Sequence, residues 1–198
     1  MSTLPDLDTP SLVFDLDVVE RNVAEMAEVA RNGGVRLRPH TKTHKSPLIA
    51  RMQLDAGASG ITVAKLGEAE VMVDAGIDDV LIAYPLVGGS KLARLRALME
   101  RAQIRTTTDS VEVAEGLGAV GRDLGRDVQV LVEVDTGLHR VGGAPGAPTV
   151  DLVQQVTRVP GVEVVGLLLD RRAHDFERGW IQRSLPGDED EVPGPDRL

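Results

Sequence analysis

The chain has no cysteine. Disulfides are therefore excluded, and so are thiolate metal sites. Aromatic residues are nearly missing, at 2% of the chain with one Trp, one Tyr and two Phe. A core must then be built from Val, Leu, Ile, Ala and Met, a mixture that suits parallel strands covered by helices. No stretch reaches the roughly 18 apolar residues that a membrane span needs. Residues 1–10 are short and polar, with no basic region followed by an apolar run, so no signal peptide is expected. Basic residues are in deficit: 22 Lys and Arg stand against 31 Asp and Glu, for a net charge of −9. That sign argues against nucleic acid and against an anionic membrane surface as partners, because both require a basic face. The expected location is the cytoplasm. Neither a G-x-G-x-x-G turn nor a phosphate-binding P-loop occurs.

What is present is enough for one domain of ordinary size: 198 residues, 42% hydrophobic. Strand and helix patterns alternate along it. Residues 11–15 (SLVFD) read as a strand and 16–32 as a helix ended by Gly33-Gly34. Residues 36–39 read as a short strand closed by Pro39, and 46–56 as a helix with Ser46 as N-cap and Pro47 at its first position. Strands at 60–64, 79–84, 104–107, 128–134 and 162–169 then alternate with helices at 66–74, 90–102, 110–118 (running on to 124) and 148–158. Repeated βα units mean a parallel sheet. Units of about 20–30 residues without a dinucleotide turn favour a (β/α)8 TIM-type barrel over a doubly wound sheet. Leaving out residues 11–15, about six of eight barrel strands are counted, so the barrel is expected to be incomplete. The rhythm stops after Leu169. Residues 1–169 are expected to form this partial barrel domain. Residues 170–198 are expected to be a divergent tail, disordered over 185–198, where acidic residues, Pro and Gly dominate.

One segment concentrates chemistry. Arg36-Leu37-Arg38-Pro39-His40-Thr41-Lys42-Thr43-His44-Lys45 places five basic groups and two histidines in ten residues of an acidic protein. It follows a strand, at the end where barrels place their active sites. A lysine near other cations has a depressed pKa and becomes the nucleophile that a Schiff base requires. The alternatives are a solvated basic loop and a metal site from His40 and His44. The latter pair suits a helix, whereas Pro39 predicts a turn, and no carboxylate nearby in sequence completes a ligand set.

The run RPHTKTHK resembles the signature of the D-threonine aldolase and D-serine dehydratase family, fold-type III pyridoxal-phosphate (PLP) enzymes related to the N-terminal domain of alanine racemase. TPSLVFDLDVVERNV, GITVAKLGEAEVMVDAGIDDVLIAYPLVG and VLVEVDTGLHRVG resemble it too, so the likeness covers roughly residues 9–168. The resemblance implies that Lys42 binds PLP covalently and later acts as base. It implies that Arg140 lies near the phenolic oxygen or pyridine ring of the cofactor. His40 and Arg38 are expected at the same mouth. Asp135, at a strand end, is expected to be a hydrogen-bond partner or a turn former. Residues 11–15 would belong to a second, β-rich domain.

Such relatives are about twice as long. They carry two further barrel strands, a Gly-rich phosphate cup, and a β domain with a His and a Cys that hold a divalent metal in many members. This chain has no Cys to complete that pair. A change of reading frame after about Leu168 is expected, because Asp170-Arg171-Arg172-Ala173-His174, shifted by one base under one codon choice, yields the family-like Thr-Ala-Gly-His. The implied activity is that of a PLP-dependent lyase on a β-hydroxy-D-amino acid, impaired in a shortened chain. An inactive PLP-binding remnant, a PLP carrier and an amino-acid racemase are the alternatives. A homodimer is the only protein partner expected.

Overall fold

The computed structural model describes residues 8–170. The tail expected to be disordered lies outside them. The chain opens with helix α1 (Leu16–Asn32), capped by the Asp15 carboxylate, which accepts the Val18 N–H at 3.2 Å. Helix α2 (Pro47–Asp55) has Ser46 as its cap and Pro47 in its first turn. Four βα units and a fifth strand follow among the described residues: β1 (Ile61–Val63), α3 (Leu66–Asp74), β2 (Asp79–Ile82), α4 (Gly89–Met99), β3 (Gln103–Thr108), α5 (Val111–Leu124), β4 (Val128–Asp135), α6 (Ala147–Thr157) and β5 (Val162–Asp170).

All strands are parallel and their order in the sheet is β1-β2-β3-β4-β5. Neighbours in sequence are neighbours in space. That is the winding of a (β/α)8 barrel and not of a doubly wound sheet, whose order reverses at a switch point. Two faces result from the period of two. Ile61, Val63, Val80, Ile82, Ile104, Val128 and Val130 form the helix-facing layer, packed with Leu66, Met72, Leu95, Leu98 and Leu117. Burying each such side chain stabilises the fold by roughly 1.5–3 kcal/mol. The other face carries Thr62, Asp79, Arg105, Thr107 and Gln129, the polar inner surface of the barrel wall.

The expected elements match these closely from α1 onward, with two differences. Residues 11–15 are not a strand. Asp15 is spent on capping α1, and Leu12, Val13 and Phe14 are exposed, with no strand beside them among the described residues. Residues 36–39 are likewise not a strand, so the described residues form five strands and not six. The reason is Pro39. His40 makes one parallel bridge with Thr62, through the Thr62 N–H to the Pro39 carbonyl (2.7 Å) and the Thr41 N–H to the Thr62 carbonyl (2.8 Å). The preceding bridge would need the N–H of residue 39, which proline lacks.

Candidate active site

In a parallel sheet every strand ends at the same rim. Lys42 lies two residues after His40, the residue bridged to β1, and Arg140 lies five residues after the end of β4. Both therefore stand at the C-terminal rim.

The loop that carries Lys42 is tied down at both ends. Thr41 is buried, and both its N–H and its hydroxyl donate to the Thr62 carbonyl, at 2.8 and 3.2 Å. The Lys45 N–H closes a turn onto the Thr41 carbonyl at 2.8 Å, with Lys45 in the left-handed region at φ 51°. Inside the turn the Lys42 N–H donates to His40 Nδ1 (3.2 Å), and the Ser46 N–H donates to His44 Nδ1 (3.0 Å). Both imidazoles thus use a ring nitrogen to shape the loop. Burial holds the His44 pKa below its ordinary value, so this ring is neutral and able to accept. Lys42 itself is exposed.

Glu68, in the first turn of α3, was not singled out by the sequence. Its carboxylate is buried, pairs with the Lys45 ammonium, and accepts the Ala64 N–H at 2.8 Å. Burial pushes its pKa up, but the bonds from Lys45 and Ala64 outweigh that and leave it below the usual carboxylate value. The signal that could have revealed it is a glutamate three residues past a helix start that has no capping side chain at Lys65.

The second loop is organised by Asp135. Its Oδ1 accepts the N–H groups of Gly137 (2.9 Å) and His139 (3.0 Å), and its Oδ2 lies 2.7 Å from His139 Nδ1. These bonds, first those from the His139 and Gly137 backbones, bring its carboxyl down to about 2. The loop then returns to β4, where Gly143 bridges Val134. Gly142, at φ 95°, lies flat on the strand; a Cβ there would stand 2.7 Å from the Asp135 nitrogen. Asp135 is thus the turn former that immediately precedes Arg140.

Arg38 departs from its expected place. Its guanidinium bonds both oxygens of Asp79, at 2.9 and 3.2 Å, and the Ser59 and Ile61 carbonyls. Asp79 opens β2 and also pairs with Arg105 at 2.5 Å. Arg38 therefore belongs to the N-terminal end of the wall, away from the mouth. Sequence neighbourhood misled because two residues along a strand are about 6–7 Å of travel.

The chain matches the family described as alanine racemase, N-terminal domain, over residues 14–169. It belongs to that family. Among curated alanine-racemase-like relatives, it is 40% identical over 167 residues to D-threo-3-hydroxyaspartate dehydratase of Delftia sp. (strain HT23), covering 84% of this chain and 44% of that one. It is 42% identical over 164 residues to D-threonine aldolase of Arthrobacter sp., covering 83% and 43%. Among solved structures, D-threonine aldolase from Filomicrobium marinum superposes with a TM-score of 0.79 at 44% identity, over 83% of this chain and 44% of that one. The chain thus spans less than half the length of the curated relatives it matches.

The donor set fits PLP at its aldehyde end. It offers an exposed primary amine on a rim that also bears Lys45, His139 and Arg140. The buried Thr107 hydroxyl, on the inner face by alternation from Arg105, has no hydrogen-bond partner. For a divalent metal the fit is lacking. Among the described residues no group of three or more His, Asp or Glu is placed to hold one.

Proposed function

We propose that this chain carries the lysine-bearing part of a PLP-dependent lyase for β-hydroxy-D-amino acids, with Lys42 as the cofactor lysine and Arg140 and His40 as further cofactor-site residues. The observation that carries this is the loop geometry: a tethered turn presents an exposed amine at the C-terminal rim, in a chain 40% or more identical to an aldolase and a dehydratase of that substrate class. Alanine racemase of Clostridium perfringens is less similar, at 29% identity, which favours the lyase reading over racemisation.

Bound there, PLP would supply the electron sink for charge left on the substrate Cα. The chain's own part is to hold and to move protons. The Lys42 amine, which would hold the cofactor, would also serve as a base at the rim when it is free. In aldol cleavage the proton taken is that of the β-hydroxyl, and the Cα–Cβ bond breaks to give glycine and an aldehyde. In dehydration the proton is that of Cα, and water leaves from Cβ. The Arg140 guanidinium would supply a planar fork of hydrogen-bond donors. The His40 ring keeps the Lys42 backbone in place through Nδ1.

The test is to incubate the purified chain with PLP, look for a visible-edge absorption band, reduce with borohydride and map the modified peptide. The expected result is a single adduct on Lys42, absent from Lys42→Ala. Release of aldehyde from D-threonine, or of ammonia from D-threo-3-hydroxyaspartate, identifies the reaction. An adduct without release supports a cofactor-binding remnant. An adduct spread over surface lysines, unchanged in Lys42→Ala, rejects the assignment.

A further inference from the structure

We infer that Glu68 is a positioning residue for Lys42, acting through Lys45. The inference rests on the reading of Lys42 as the cofactor lysine. Residues 41–45 form one closed turn, and Lys42 rides on its arch. The near end is fixed by two bonds from Thr41 to the Thr62 carbonyl. The far end, Lys45, holds a left-handed backbone that side-chain-bearing residues disfavour. What retains it there, besides its own N–H on Thr41, is the ion pair with Glu68.

Glu68 is suited to that task. Its other oxygen accepts the N–H of Ala64, the residue that follows β1. One carboxylate therefore spans the end of β1 and the end of the lysine loop, two segments brought side by side by the His40–Thr62 bridge. Glu68 is buried whereas Lys45 is largely exposed, so the anion is the fixed partner and the cation is drawn to it. Without Glu68 the far end keeps only the Lys45 N–H on the Thr41 carbonyl and the start of α2, with no tie to β1, and the Lys42 amine samples a wider arc at the rim.

Four variants test this in the full chain: Glu68→Gln, Lys45→Met, Lys45→Arg, and Glu70→Gln as a control on the same helix, since Glu70 pairs outward with Arg94. Hydrogen exchange at the amides of residues 42–46 is read without cofactor, and borohydride trapping of PLP on Lys42 is read alongside. Glu68→Gln and Lys45→Met should each speed exchange about tenfold and slow trapping at least fivefold, the double variant adding little to either. Lys45→Arg, which keeps a cation for Glu68, should retain both readouts, and Glu70→Gln should change neither. Exchange and trapping within twofold of the parent in Glu68→Gln and Lys45→Met would overturn the inference. So would equal losses in Glu70→Gln and Lys45→Arg, because general destabilisation would then account for them. If the parent chain traps nothing on Lys42, the cofactor reading falls, and the exchange data alone decide whether the clamp exists.

Discussion

Asp135 shows how much one carboxylate can organise. Two backbone N–H groups and an imidazole converge on it, and its pKa falls to about 2 from an ordinary 3.8. A depressed carboxyl contributes stability that is complete above its unfolded value and is lost as pH falls through its folded one. The contribution of Asp135 should therefore be present above about pH 4 and gone near pH 2. Thermal unfolding of the parent and of Asp135→Asn should differ most above that window and converge at its acid end. A difference that does not change with pH would show that the carboxylate charge is not what holds the loop. At this scale the sequence was informative where chemistry is local. Asp135 could be read as a turn former because it sits where a strand gives way to a turn. Arg38 could not be read correctly, because its partner Asp79, which also pairs with Arg105, is brought to it only by the sheet. Glu68 was hidden for a similar reason: its two bonds run to segments that meet only through pairing across strands.

Helix α5 was read over 110–118 with a continuation to 124, and it does run to Leu124 through Gly116, Gly118 and Gly121, stopping at Gly125 in the left-handed conformation at φ 65°. Packing outweighs propensity here. A Cβ on Gly121 would lie 2.1 Å from the Gly161 carbonyl oxygen, and one on Gly118 would lie 2.5 Å from that of Pro160. The turn before β5 thus rests directly on the helix backbone. Replacing an interior helical glycine by alanine normally gains about 0.8–1 kcal/mol. Gly121→Ala should instead destabilise by roughly 1–3 kcal/mol, the usual cost of overpacking. A lower urea midpoint checks this; a raised midpoint would mean that the 160–161 turn yields freely. Ser46 was legible as a cap because an N-cap acts within three residues. The break at Pro39 was visible as a residue, but its effect on strand count depended on which N–H the ladder required.

For the whole molecule, the outward face of the last strand matters most. Val165, Leu167 and Leu169 are 40%, 46% and 55% exposed, beside Val150 of α6 at 54%. Among the described residues β5 pairs with β4 alone. An apolar face next to an open strand edge favours self-association. Leu167→Lys should lower concentration-dependent light scattering and, at an exposed position, change stability by no more than about 0.5 kcal/mol. Unchanged scattering would place the association surface elsewhere, with the exposed Leu12, Val13 and Phe14 as the next region to alter. The sequential strand order has a kinetic corollary. Each strand adds to the one made just before it, and the five-stranded sheet contains no contact that must wait for its two ends to meet. Folding can then advance one crossover-sized loop closure after another, with a barrier set by the separation of neighbouring strands along the chain and not by ring closure.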